Sequence, residues 1–177
     1  RLYDSAKAVM ISIPLTKDEF KQVVERLVEM NQLSEAHIRT VVTRGSGRSG
    51  LDPRRAVRAT VVIHALPMKP LLGEKPIRLI TSTIRRKSPH AVDSKVKSLN
   101  YMDNILAKLQ AINAGVDDAV MLDVRGFVAE ACAENLFVVR DGKISTPDTT
   151  AALHGITRGT VIDEARRFRG VSDQHTK

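Results

Sequence analysis

The 177-residue sequence predicts an α+β fold in which short antiparallel strands alternate with helices. Apolar residues recur with helical spacing in three segments, and between these lie short runs of β-branched residues bounded by glycine and proline. The sequence has no internal repeat and no βαβ dinucleotide-binding pattern. Hydrophobic residues make up 42% of the chain, which is enough to build a core.

The first half of the chain begins with its clearest local signal, a helix that starts after Thr16. Thr16 and Glu19 have the spacing of a capping box. Three strands are predicted next, in the segments HIRTVVTRG, RATVVIHAL and PIRLITSTI, and the glycine-rich loop RGSGRSG ends the first of them. The helix carries an apolar stripe made of Phe20, Val23, Val24, Leu27 and Val28.

A basic segment without regular period, RRKSPHAVDSK, follows the third predicted strand. It predicts an interdomain linker at residues 85–92. The linker separates a domain at residues 1–84 from a second domain at residues 93–177.

The second half is predicted to hold two helices on either side of four strands. Residues 102–114 form the first helix, which stops at Ala114-Gly115. The strands follow, and Asp141-Gly142 joins the last two in a hairpin. The final helix starts near Thr157 as its N-cap. The predicted buried faces are Ile105, Leu106, Leu109 and Ile112 on the first helix, and Val161, Ile162, Ala165 and Phe168 on the second.

Cysteine usage and hydropathy limit the class of protein. The single cysteine, Cys132, excludes an internal disulfide framework, and we interpret it as a small buried residue. No stretch approaches the roughly 18 apolar residues of a membrane span. The sequence shows no signal peptide, so we expect a cytoplasmic protein with no membrane partner.

The chain is basic, with a net charge of +8, but its charges are scattered. The only dense cluster is Arg85-Arg86-Lys87, and the chain has no tryptophan and only 3% aromatic residues to stack on bases. A solvated basic surface is the favoured interpretation. A site for small anionic ligands comes second and a nucleic-acid surface last, so we expect no nucleic-acid partner.

A lysine near the start of the helix at 102–114 is a candidate for covalent chemistry. An extended KVKS segment places Lys95 and Lys97 on one face, so the period alone does not separate them. An ammonium held against apolar groups loses hydration and its pKa falls, and the neutral amine can form a Schiff base. Such a lysine implies a sugar-like carbonyl substrate or pyridoxal phosphate.

Pyridoxal phosphate needs two further parts, and both have candidates. One is an anion-binding turn, for which LHGITRG offers Gly155 and Ile156 before a helix and Thr157 at its start. The other is a carboxylate beside the pyridine nitrogen, for which Glu130 ends the apolar strand GFVAE and would need a cationic partner. Taken singly, each is as well explained by an ordinary helix start or strand end.

The sequence resembles the class IV aminotransferases, which are fold type IV pyridoxal-phosphate enzymes related to branched-chain amino acid aminotransferase. The resemblance runs through RLYDSAK, IPLTKDEF, IRTVVTRG, VKSLNYMDNILAK, GFVAEACAENLFVVRDGKISTP and LHGITR. It implies a D-amino acid aminotransferase-like fold, with a small α/β sandwich domain and part of a larger antiparallel-sheet domain. It also implies that segments are missing from both ends.

The resemblance implies a role for each matching residue. Lys97 matches the lysine that forms the Schiff base and moves the substrate Cα proton, and Tyr101 matches the tyrosine at the phenolic oxygen of the cofactor. Glu130 matches the partner of the pyridine nitrogen. The remaining matches are Leu153 against the ring, Gly155, Ile156 and Thr157 in the phosphate turn, Arg1 at the phosphate, and Arg39 with His37 toward the substrate carboxylate.

The resemblance also indicates a substrate class. Arg39 matches the arginine of the branched-chain enzymes, whereas Ser49 and Leu51 stand where D-amino acid aminotransferases carry an arginine and a histidine. This favours transamination of leucine, isoleucine and valine with 2-oxoglutarate by a homodimer. The alternatives are an aminodeoxychorismate lyase, a D-amino acid aminotransferase, or a catalytically incomplete fragment.

Overall fold

The computed structural model describes residues 1–56, 58–67 and 75–169, with only the backbone of the last two. The chain forms two compact units, Arg1–Lys75 and Pro76–Lys177, and each is described by itself. The predicted linker at residues 85–92 falls inside the second unit. The domain limits 1–84 and 93–177 stay predictions.

The first unit packs two helices with a β-hairpin. Strand β1 (His37–Thr43) pairs antiparallel with β2 (Thr60–Leu66), from His37 opposite Leu66 to Thr43 opposite Thr60. These are the first two strands that the sequence predicts. The helices are α1 (Leu2–Ala8) and α2 (Lys17–Met30), and a 3₁₀ turn covers Pro53–Arg55.

Helix α2 starts as predicted. The Thr16 hydroxyl accepts a hydrogen bond from the Glu19 amide at 3.2 Å, and the Glu19 carboxylate accepts one from the Thr16 amide at 2.7 Å. The capping box is therefore confirmed. The apolar stripe packs toward β2 but is only half-buried, and Val23 is 43% exposed.

The main sheet of the second unit has three strands, in the order β3 (Leu79–Thr81), β4 (Asp118–Leu122) and β5 (Val128–Ala131). β4 and β5 are antiparallel, but β3 and β4 are parallel, which corrects the prediction of antiparallel strands only. Parallel neighbours need a long crossover connection. The segment between β3 and β4, which contains helix α3 (Met102–Asn113), provides that crossover. Only three residues of PIRLITSTI form strand.

A separate hairpin pairs β6 (Val138–Arg140) with β7 (Lys143–Ser145). Asp141 and Gly142 form its turn with φ of +50° and +73°. Positive φ at both central residues is what a two-residue type I′ hairpin needs, and glycine adopts it without steric cost. The predicted hairpin is confirmed.

The packing of α3 differs from the prediction. Its large apolar residues face outward, with exposures of 53% at Ile105, 42% at Leu106, 47% at Leu109 and 59% at Ile112. The helix instead buries Asn104, Ala107 and Ala111, which share one face at helical spacing. Small side chains let the helix axis approach the sheet closely. The face that packs against the sheet is therefore the one with the smallest side chains, not the one with the most hydrophobic side chains. The buried cluster there is Ala107, Ala111, Ala119, Met121 and Cys132, which confirms Cys132 as a small buried residue.

Helix α4 spans Ile156–Arg169, so Thr157 is not its N-cap as predicted. The Gly155 carbonyl accepts the first intrahelical hydrogen bond, from the Gly159 amide at 3.1 Å. An N-cap residue is defined by that bond, so Gly155 holds the position and Thr157 lies in the first turn. Val161, Ile162 and Ala165 are half-buried. The side chain of Phe168, the last member of the predicted stripe, lies outside the described residues.

Two negative observations apply to residues 1–56, 58–67 and 75–169. None of their helices is long and apolar enough to cross a membrane. Their His, Cys, Asp and Glu side chains form no group of three or more that could hold a metal ion.

Candidate functional site

The segment around Lys97 is a succession of turns. The Asp93 carboxylate accepts a hydrogen bond from the Lys95 amide at 2.9 Å, and the Asp93 carbonyl accepts one from the Val96 amide at 3.0 Å. An aspartate that captures nearby backbone amides favours a turn over extended chain. The predicted extended KVKS segment is therefore wrong, and the common face of Lys95 and Lys97 that it implied is not formed.

Lys97 is paired with Tyr101, the residue that precedes α3. The Lys97 ammonium donates to the Tyr101 hydroxyl at 3.1 Å, and Nζ lies 5.7 Å from the ring centroid. Both side chains are exposed. Lys97 is therefore not buried, and its amine is held against the phenol of Tyr101, four residues along the chain.

Glu130 lies on β5 and is only 6% exposed. One carboxylate oxygen, Oε1, lies 3.0 Å from Nη2 of Arg86. The other, Oε2, accepts the Leu153 amide at 2.9 Å and the Asn135 side-chain amide at 3.4 Å. The sequence predicted that this carboxylate needs a cationic partner, and Arg86 is that partner.

The surroundings of Glu130 have opposing effects on the pKa of its carboxyl group. Burial raises the pKa of Glu130 above its ordinary value, since a carboxylate out of water loses hydration. The Leu153 amide and the positive charges of Arg86 and Lys97 oppose that rise without cancelling it. Burial is thus the largest influence on the pKa of Glu130, and the neighbouring donor and cations offset it only in part.

Arg86 connects several elements of the second unit. Its Nη1 donates to Asp103 at 2.7 Å and to Asn104 at 2.8 Å in the first turn of α3. Its Nε donates to the Ala151 carbonyl at 3.2 Å. With the contact to Glu130, all three guanidinium nitrogens are engaged, which suits a residue that is 6% exposed.

Asp103 balances the charge on the α3 side. It accepts from the Lys87 ammonium at 2.8 Å as well as from Arg86. Burial alone would raise the pKa of Asp103, but the hydrogen bond from Lys87 and the charge of Arg86 outweigh it and lower the pKa. Asp103 is thus held ionised beside the two cations.

The turn from Leu153 to Gly155 joins Glu130 to α4. The Asn135 side chain donates to the Leu153 carbonyl at 3.0 Å, and the Gly155 amide donates to that same carbonyl at 2.8 Å. A Cβ at Gly155 would stand 2.1 Å from Oδ1 of Asn135. Only glycine fits so close to Asn135, so the turn is built around its backbone.

The first turn of α4 carries Ile156 and Thr157, both of them exposed. Amides in the first turn of a helix have no partner within the helix, and the positive end of the helix dipole lies there. The exposed turn therefore has the properties of an anion-binding position, directly after the Glu130-linked turn.

The other three predicted site residues lie in the first unit. Arg1 is at the N-cap of α1. His37 and Arg39 are exposed and share one face of β1, where Arg39 is opposite His64. Their part in the site stays a prediction.

The sequence did not identify Arg86, Asn135 or Asn104. Arg86 was visible only as part of the RRK cluster, and the scattered charge of the rest of the chain favoured a solvated basic surface. Asn104 shares the face of Ala107 and Ala111 on α3, and a polar residue in line with small residues was the available signal.

Comparison with known proteins identifies the family. The family described as amino-transferase class IV matches residues 1–176. A relative from Methanocaldococcus jannaschii, described provisionally as a branched-chain-amino-acid aminotransferase, is 50% identical over 167 residues, which cover 94% of this chain and 58% of the relative.

Solved structures with the same fold superpose on nearly the whole of this chain. The branched-chain aminotransferase of Thermoproteus uzoniensis with norvaline has a TM-score of 0.91 and 32% identity, over 98% of this chain and 59% of that one. The PLP-form of the branched-chain aminotransferase from Thermobaculum terrenum has a TM-score of 0.85 and 28% identity, over 98% and 57%.

A Legionella pneumophila structure, described provisionally as a 4-amino-4-deoxychorismate lyase, has a TM-score of 0.88 and 25% identity, over 97% of this chain and 63% of that one. The chain thus spans 58% of the Methanocaldococcus relative and 57–63% of these solved chains. With a family match along residues 1–176 and the fold type IV architecture of its structural neighbours, this chain belongs to the class IV aminotransferases.

Proposed function

We propose that this chain carries the cofactor-binding part of a pyridoxal-phosphate-dependent aminotransferase, which in its complete form transfers amino groups between branched-chain L-amino acids and 2-oxoglutarate. The observation that carries the proposal is one set of groups in the second unit: an amine paired with a phenol, a buried carboxylate, and a glycine turn that opens a helix. The cofactor needs each of these groups. The likeness of this chain to enzymes solved with norvaline or in the PLP-form supports the assignment.

The residues fit the cofactor chemically. Among the residues that the structure describes, Arg86 is the partner recorded for Oε1 of Glu130, and a carboxylate oxygen can accept a further hydrogen bond, here from a ring N–H. Gly155 lets the backbone pass close to Asn135, and the first turn of α4 then offers amides to a phosphate. When bound, pyridoxal phosphate supplies an electron sink for negative charge at the substrate Cα.

Each side chain then has a task of its own. Lys97 would bind the cofactor aldehyde through Nζ and, once displaced by substrate, move the proton at the substrate Cα. Tyr101 orients that amine through its hydroxyl. Glu130, as a carboxylate, would hold the proton on the pyridine nitrogen.

The remaining predicted residues complete the proposal from the family resemblance. Leu153 would pack against the ring. Gly155, Ile156, Thr157 and Arg1 would bind the phosphate, and Arg39 with His37 would face the substrate carboxylate. We also propose a homodimer in the cytoplasm for the complete enzyme.

Borohydride trapping tests the cofactor and the lysine together. The chain is incubated with pyridoxal phosphate and reduced, and the labelled peptide is identified by mass spectrometry. We expect the phosphopyridoxyl group on Lys97, and no label in Lys97→Ala. Lys95→Ala is the matched control, because Lys95 is an exposed lysine of the same turn, and it should label like the wild type. A label on Lys95, or equal labelling of both variants, would refute the assignment.

Product analysis then separates the candidate reactions. An aminotransferase forms glutamate from leucine and 2-oxoglutarate, whereas the lyase suggested by the Legionella neighbour releases pyruvate from aminodeoxychorismate. D-leucine in place of L-leucine tests the D-specific alternative. Trapping at Lys97 without any of these products would identify the chain as a catalytically incomplete fragment.

A further inference from the structure

The basic cluster RRK contains two arginines with opposite environments. Arg85 is exposed, whereas Arg86 is 6% exposed. The Arg86 amide donates to the Leu122 carbonyl at 2.9 Å, so its backbone is anchored at the end of β4. A solvated surface cluster explains Arg85 but not Arg86.

The acceptors of Arg86 come from three separate parts of the second unit. Asp103 and Asn104 belong to α3, Glu130 to β5, and the Ala151 carbonyl to the loop before α4. A guanidinium is planar and presents five N–H groups in a fixed fork, so its contacts set the relative directions of the groups that it binds.

We propose that Arg86 is a positioning residue that fixes the direction of the Glu130 carboxylate and ties it to the first turn of α3. That turn directly follows Tyr101, whose hydroxyl accepts a hydrogen bond from the Lys97 ammonium. Arg86 thus links the strand that carries the carboxylate to the start of α3, next to the hydrogen-bond partner of the Lys97 amine. The inference rests on the proposed function for its role in catalysis, but the contact itself is tested without the cofactor.

The charges around Glu130 give the proposal a measurable consequence. Arg86 and Lys97 favour the ionised carboxylate, Asp103 disfavours it, and the neutral Asn135 side chain and the Leu153 amide donate to it. Burial already raises the pKa of Glu130. An opposite charge in contact with a carboxylate lowers its pKa by about one to three units, so loss of Arg86 should raise it by a similar amount.

The test is an NMR titration of the cofactor-free chain labelled with ¹³C at the glutamate carboxyl carbons. Glu130→Gln assigns the Glu130 signal. In Arg86→Met we expect its titration midpoint to rise by about one to three pH units. Arg85→Met removes the same charge from an exposed neighbour, where water screens it, and should leave the midpoint near the wild-type value. Equal midpoints in Arg86→Met and Arg85→Met would overturn the proposal.

A second pair keeps the test decisive if Arg86→Met does not fold. Arg86→Lys retains the charge, but a single ammonium does not satisfy acceptors on three elements. We expect its Glu130 midpoint to lie above that of Arg85→Lys, and equal midpoints would contradict the proposal. Failure of pyridoxal phosphate to label the wild-type chain would instead count against the proposed function, since the titration uses no cofactor.

Discussion

Adding one methyl group at Gly155 should destabilise the second unit, whereas the same change four residues later should stabilise it. At Gly155 a Cβ would stand 2.1 Å from Oδ1 and 3.3 Å from Cγ of Asn135. At Gly159, inside α4, no atom of the described residues lies within 4 Å of the added Cβ, apart from chain neighbours and the backbone of the helix itself. The two glycines therefore form a matched pair, one at the N-cap of α4 and one inside the helix.

The expected magnitudes follow from these surroundings. A contact of 2.1 Å requires Asn135 or the turn to move, and overpacking of this kind costs about 1–3 kcal/mol. Alanine is also a poor N-cap. Gly159→Ala carries no such clash and gains about 0.8–1 kcal/mol of helix propensity. We expect the free energies of unfolding of the two variants to differ by roughly 2–4 kcal/mol.

Urea unfolding followed by circular dichroism measures this difference. The double variant Gly155→Ala/Asn135→Ala should lose less free energy of unfolding than the two single variants together. The reason is that Asn135→Ala removes the side chain with which the new methyl group clashes. If Gly155→Ala is as stable as the wild type, or if the double variant shows no coupling, the close approach of Gly155 and Asn135 is not what fixes this turn.

Two further predictions concern buried ionisable groups. Asp123 accepts the amides of Arg125 and Phe127 at 2.9 Å each, which with the Arg125 side chain lowers its pKa although burial raises it. A lowered carboxyl pKa contributes stability above about pH 4 that is lost as the pH falls through the folded value. Asp123→Asn should thus cost about 1–3 kcal/mol at pH 7 and less at pH 3, and an equal cost at both would refute this. Burial and the Asp118 side chain raise the pKa of Cys132 to about 11, so roughly one thiol in a thousand is ionised near pH 8. A thiol reagent should modify the folded chain far more slowly than the urea-unfolded chain, and equal rates would contradict the burial of Cys132.

The elements that the sequence predicted correctly are those with local causes. The capping box at Thr16 and Glu19 needs only four consecutive residues, and the hairpin at Asp141-Gly142 needs only two residues that tolerate positive φ. The need of Glu130 for a cation followed from its place on an apolar strand. The capping box and the hairpin turn depend on neighbours in the sequence, and the need of Glu130 for a cation depends on its own strand, whereas the choice of Arg86 as that cation does not.

The errors have non-local causes. Helix α3 buries Ala107 and Ala111 in the cluster that holds Met121 of β4, although hydropathy ranks Ile105 and Leu109 above them. The turn at Lys97 depends on Asp93, whose effect on backbone amides outweighs the tendency of the neighbouring valine to extend.

Arg86 shows why the predicted parts of the site did not disclose what joins them. An arginine in a run of three cations is expected in water, because burial of one charge costs several kcal/mol without partners. Its partners lie on α3, β5 and the loop before α4, and they meet only once the parallel pairing of β3 with β4 brings the chain at residue 86 to the end of β4. A charge buried at such cost, with every nitrogen engaged and one of its contacts on the carboxylate at the centre of the site, is better explained by what it orients than by the stability that it adds.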